Sequence, residues 1–86
     1  MREYLIKQRK LNGGVQKIYK FPNGYGASVV CSPYSYGGDM GLWEIAVFDK
    51  EGNLTYETPI TDDVIGHLND DEVIEVLNKI KELEND

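Results

Sequence analysis

The sequence predicts an α+β domain: an antiparallel β-meander of about four strands, five if the N-terminal segment also pairs, with one C-terminal amphipathic helix packed on one face. Three observations carry this reading. Asn23-Gly24 separates two runs of β-branched and aromatic residues, Gly52 closes a second such pair, and residues 69–84 combine capping residues with apolar side chains at helical spacing.

In "VQKIYKFPNGYGASVVC", residues 15–31, Asn23-Gly24 suits a two-residue type I′ turn, because both central positions of that turn need positive φ. This register pairs Pro22 with Tyr25 and Ile18 with Val29. It also sets Phe21 opposite Gly26, where a ring can cover a backbone that has no side chain. In "LWEIAVFDKEGNLTYETP" a three-residue loop at Lys50-Glu51-Gly52 is expected, with Gly52 left-handed, Phe48 paired with Leu54 and Ala46 with Tyr56. Residues 61–66 read as a single capped helical turn closed by Gly66.

The C-terminal helix has the fullest set of signals. Asn69 is placed as N-cap and Glu72 at the third helical position, a capping-box arrangement, with Leu68 and Val73 as a hydrophobic staple. Val73, Val76, Leu77, Ile80 and Leu83 fall on one face, and Asp70, Asp71 and Glu72 sit where the helix dipole favours negative charge. The whole chain is then one domain: a basic N-terminal segment (1–14), two hairpins (15–58), a helical turn (61–66) and the helix (69–84).

A chain of 86 residues with 41% hydrophobic content can enclose one small core and no second one. Its one cysteine, Cys31, has no partner for an internal disulfide, and one Cys with one His cannot complete a structural zinc site, so a reducing cytoplasm is the expected compartment. Met1 leads into Arg-Glu-Tyr with no apolar run, and neither a signal peptide nor a membrane span is expected. The net charge of −6 is unevenly spread: residues 1–20 hold six cations against Glu3 alone, whereas residues 57–86 hold ten acids against Lys79 and Lys81.

Chemical constellations are sparse. Gly24-Tyr25-Gly26 lacks the third glycine and the strand-to-helix setting of a dinucleotide fingerprint, and no phosphate-binding G-x-x-x-x-G-K-S/T occurs. Asp63 and His67 are four apart, but Gly66 interrupts them and the neighbouring acids are explained by the helix start; no metal and no cofactor are expected. No strained turn presents a serine to His67, and Cys31 reads as a small strand hydrophobe rather than a thiolate. The acidic balance argues against direct nucleic-acid binding, and the chain is not expected to be an enzyme.

Two surfaces remain as binding candidates. The connection "SPYSYGGDMG" spends about ten residues where two to five suffice, and its tyrosines and glycines resemble the chemistry of binding loops. Tyr34, Tyr36, Met40 and Trp43 are therefore the candidate partner-binding residues, the alternative being a lid folded onto the sheet. The strand 42–48 shows Trp43, Ile45 and Val47 on one face and Leu42, Ala46 and Phe48 on the other, and one helix covers only one face. The Trp43-Ile45-Val47 face is expected to be the open one, for another protein or a second copy of the chain in a homodimer. The other candidate is an acidic patch, Asp62, Asp63, Asp70, Asp71, Glu72, Glu75 and Glu82, which would make the chain a mimic of nucleic acid that occupies a DNA- or RNA-binding protein.

Three stretches carry a resemblance. "NGYGASV", "YGGDMGLWEIAV" and "TPITDDV" follow N-G-Y-G-x-S-V, Y-G-x-x-x-G-L-x-E-x-A-V and T-P-I-x-D-D-V in order, and over about residues 18–80 the chain resembles a group of small uncharacterised proteins encoded by bacteriophages and prophages. The resemblance implies a phage origin and the cytoplasm of a host bacterium. It implies no activity, and it assigns no catalytic residue.

Overall fold

The computed structural model describes residues 2–11, 13–33, 35, 37–55 and 64–83, apart from the side chain of Leu11. The architecture is an antiparallel sheet with one helix across it. A 3₁₀ turn (Arg2–Tyr4) leads into β1 (Leu5–Leu11), followed by β2 (Gly14–Lys20), β3 (Gly26–Cys31), a 3₁₀ turn (Gly38–Met40), β4 (Trp43–Phe48), β5 (Leu54–Thr55), β6 (Ile65–Leu68) and α1 (Asp70–Lys81). The order β1-β2-β3-β4-β5 is a meander, and β6 also pairs with β4. β5 takes the Val47–Phe48 end of the β4 edge, and β6 takes the Trp43–Ile45 end.

The N-terminal segment is thus a full strand. β1 pairs with β2 from Leu5↔Tyr19 to Leu11↔Gly14, and Gly13, just before β2, has φ 85°. Asn12-Gly13 carries the same sequence signal as Asn23-Gly24.

The first predicted register is off by one residue. Lys17 pairs with Val29, Ile18 with Ser28 and Lys20 with Gly26, and the residue facing Gly26 from β4 is Phe48, so Phe48 and not Phe21 covers that glycine. The cause is the turn. Phe21 N donates to Tyr25 O at 2.8 Å and Gly24 N to Phe21 O at 3.0 Å, with positive φ at Gly24 (94°) and not at Asn23. This is a three-residue loop. Pro22 fits the first central position of a type I turn with its fixed φ, and glycine takes the left-handed site. The second hairpin uses the same geometry as predicted: Asp49 N to Asn53 O at 2.8 Å, Gly52 N to Asp49 O at 3.0 Å, Gly52 at φ 82°, and Phe48 paired with Leu54. The expected partner of Ala46, Tyr56, lies outside the described residues.

Because strand side chains alternate, a one-residue shift exchanges the faces. Tyr19, Ala27 and Val47 form one row, and Val29, Ile45 and Ile65 another, on the face that α1 covers. Ile45, Leu77, Ile80, Val29 and Val47 are the largest fully buried side chains among the described residues. The expectation that Trp43, Ile45 and Val47 form the open face is therefore overturned: they line the core side, and the opposite face is the open one.

The predicted helical turn at 61–66 is also corrected where it can be followed. Residues 61–63 lie outside the described residues, and Ile65 and Gly66 belong to β6. Between the Trp43↔Leu68 and Ile45↔Ile65 pairs, β6 has one residue more than β4, a bulge in which His67 adopts φ 58°.

The capping box at α1 is present in full: Asn69 Oδ1 accepts from Glu72 N at 2.8 Å and Glu72 Oε1 from Asn69 N at 2.9 Å. The helix runs 12 residues, shorter than the predicted span, with Val73, Leu77 and Ile80 buried and Val76 and Leu83 packed beside them. Its C-terminal end is closed from elsewhere in the chain. Asn23 Nδ2 donates to the carbonyls of Ile80 (2.8 Å), Lys81 (2.9 Å) and Leu83 (3.1 Å), while Asn23 Oδ1 accepts from Tyr25 N at 3.0 Å. These are the carbonyls a helix end leaves without partners.

Asn69→Ala is expected to cost about 1 kcal/mol through the lost N-cap. Asn23→Ala is expected to cost about 1–3 kcal/mol, since carbonyls at the helix end lose a shared donor. Urea melts check both, and an Asn23→Ala variant as stable as the wild type would contradict the C-terminal clamp.

Candidate partner-binding surface

Of the four predicted contact residues, Tyr34 and Tyr36 lie outside the described residues. Met40 is 61% exposed at the end of a 3₁₀ turn. Trp43 is half-buried on the helix side: its Nε1–H donates to Asp70 Oδ1 at 2.8 Å, and Lys17 Nζ stands 5.1 Å above its ring. Trp43 thus fastens the start of α1 to β4. It borders a groove of about 340 Å³ with Arg2, Lys17, Tyr19, Asp70 and Ile74, in which burial raises the pKa of the Tyr19 phenol.

The connection between β3 and β4 is closely built where it is described. Ser35 Oγ accepts from Ser32 N at 2.9 Å and donates to Ser32 O at 3.0 Å, and Leu42 N donates to Gly37 O at 2.9 Å. Gly37, buried and at φ 85°, lies against the bulge in β6: a Cβ there would stand 2.8 Å from His67 Cα. The loop is thereby seated on the sheet edge at the Cys31/Trp43 end.

In the acidic patch, Asp62 and Asp63 lie outside the described residues. Asp70 accepts from Trp43, Glu72 is engaged in the capping box, and Glu75 faces Lys79 at 3.9 Å across an exposed i,i+4 pair. Asp71 and Glu82 are exposed. Three of the five described acids therefore serve the helix itself. His67 is exposed in its bulge, and among the described residues no group of three His, Cys, Asp or Glu is placed to hold a metal ion. Nor is any helix among them long and apolar enough to cross a membrane.

The surface that sequence reasoning missed is the face of the sheet turned away from α1. Register places Ile18, Ser28 and Ala46 in one row of this face and Lys20, Gly26, Phe48 and Leu54 in the next. Ile6, at the irregularity between Leu5 and Lys7, joins Ile18, Lys20, Gly26, Phe48 and Gly52 around a hollow of about 410 Å³. Ile6, on its rim, is 65% exposed, and Leu54, paired with Phe48 on β5, is 51% exposed. Gly26 forms the floor of the hollow: a Cβ there would come within 2.5 Å of Tyr19 O, so only glycine lets β2 and β3 lie this close. Alongside the hollow, Arg9 Nε donates to Gln16 Oε1 (2.7 Å) and Gln16 Nε2 to the buried Ser28 Oγ (2.8 Å), a polar ladder that completes the face. The available signal was Ala46 and Phe48 alternating with Ile45 and Val47, combined with the correct turn type at Gly24.

The seating of the β3–β4 connection has a direct test. Gly41 also has positive φ (74°), but a Cβ there meets nothing within 4 Å. Gly41→Ala should cost about 1 kcal/mol for the left-handed backbone alone. Gly37→Ala should cost clearly more in the same urea melts, because it also meets the His67 backbone. Equal costs would show that the loop is not packed on β6.

Comparison of the chain with protein-family models, with curated proteins and with solved structures finds no match.

Proposed function

We propose that the chain is a small non-enzymatic binding protein of phage type, acting in the cytoplasm of a host bacterium, that takes a host or phage protein on its open sheet face. One observation carries this reading: exposed Ile6 and half-buried Ile18 and Phe48 surround a hollow floored by glycine, with exposed Leu54 beside Phe48 on the neighbouring strand. Contiguous apolar surface on a rigid platform marks contact sites, and a side chain inserted in such a hollow gives up water on both partners. The phage assignment rests on the sequence resemblance alone. Met40 lies at the other end of the sheet, beyond the Cys31/Trp43 end of the strands, so an aromatic loop contact would be a second, separate patch.

The acidic-mimic reading keeps one supporting observation, the exposed Asp71, Glu75 and Glu82 along α1. It is weakened by the structural use of Asp70 and Glu72. A homodimer through the open face is the self-association form of the leading reading.

The double variant Ile6→Ser, Leu54→Ser is expected to lose a partner captured from bacterial lysate at high salt, with a fall in affinity of about tenfold or more, because apolar anchors dominate such contacts. Its melt should change by less than about 1 kcal/mol, since both side chains are exposed. The variant Asp71→Asn, Glu75→Gln should retain the partner. Loss in the acidic variant and retention in the apolar one would favour mimicry instead.

A further inference from the structure

Resting on the reading of the open face as a binding surface, we propose that its occupant is an acidic protein segment that places an apolar side chain in the hollow. The chain as a whole is acidic, at −6, yet among the described residues the strands turn Lys7, Arg9 and Lys20 to this face against the strand carboxylate Glu44, with Asp49, Lys50 and Glu51 in the turn beside Gly52 at one end of the hollow. The described helix acids lie on the other side of the sheet. A partner approaching the open face therefore has these cations among its nearest charges.

Two of these cations, Arg9 and Lys20, are also held in place. Lys20 Nζ donates to Gly24 O at 2.8 Å beside the hollow, and Arg9 is fixed by Gln16, so both are bonded to neutral acceptors and keep their charge for a carboxylate. A guanidinium with one N–H engaged retains its remaining donors for an incoming anion. Fixing them beforehand lowers the ordering cost of association. The hollow, lined by Ile6, Ile18 and Phe48 with Gly26 beneath, accepts an aliphatic or aromatic group from the same segment. Apolar burial supplies affinity and the cations select the sign of the partner.

The test titrates the full chain with three synthetic peptides of equal length and apolar content, one acidic, one neutral and one basic, at low and high salt. The acidic peptide should bind about tenfold or more tightly than the neutral one at low salt, with the gap closing at high salt and in the variant Lys7→Glu, Arg9→Glu. Ile6→Ser, Leu54→Ser should weaken both the acidic and the neutral peptide. Equal affinity for acidic and neutral peptides that is lost in the Ile6→Ser, Leu54→Ser variant would overturn the acidic occupant and leave the face as a binding surface. Binding that ignores the Ile6→Ser, Leu54→Ser change would overturn the face itself. Two further outcomes would overturn the proposal in favour of another occupant: binding to anionic lipid vesicles without discrimination among the peptides, or concentration-dependent self-association abolished by Lys7→Glu, Arg9→Glu without such discrimination.

Discussion

The fold depends on how a single helix is fastened to a sheet that is apolar on both sides. At its start, Asp70 accepts the Trp43 indole N–H, while Asn69 and Glu72 close the first turn. At its end, one amide group from the β2–β3 turn reaches the helix carbonyls of Ile80 and Lys81 and that of Leu83 just beyond. Between these fastenings Val73, Leu77 and Ile80 descend onto Val29, Ile45 and Val47. Each hydrogen bond contributes about 1 kcal/mol, less than the apolar burial, yet they are directional where burial is not. They settle which sheet face the helix takes.

That choice decides the surface chemistry. With Tyr19 turned inward and Ile18 outward, β2 gives the core a ring, to which Phe21 adds a second, stacked at 6.4 Å, with Tyr4 edge-on to Phe21 at 5.5 Å. The opposite face keeps Ile18, Ala46 and Phe48 without a covering layer among the described residues, and the N-terminal strand adds Ile6 and the cations Lys7 and Arg9 to it. The residues freed by helix docking and those carried by the edge strand thus meet on one surface. The proposed binding role depends on this meeting.

Most of the fold was legible in the sequence because its signals are local. The capping box, the helical apolar spacing and the Gly52 turn each rest on a few adjacent residues whose geometry is fixed by backbone rules. The first turn misled because Asn23-Gly24 satisfies two turn types, and the choice between them lay with Pro22, whose fixed φ suits a type I turn, and with the helix, which engages the Asn23 amide from 57 residues away. The one-residue error that followed could not be seen locally, yet it exchanged the faces of β2 relative to β3. The β6 bulge was hidden for a similar reason: His67 at positive φ is supported by Gly37, a contact between distant segments. The open face could have been read from the alternation in strand 43–48 only with the register in hand.

The most direct test of this account is the relaxation of methyl protons by a soluble paramagnetic agent, read by nuclear magnetic resonance on the dilute full chain. Strong relaxation at Ile6 and Leu54, and none at Ile45, Val47, Leu77 and Ile80, is the expected pattern. Strong relaxation at Ile45 and Val47 with protection of Ile6, Ile18 and Leu54 would place the helix or a partner on the other face and contradict the account.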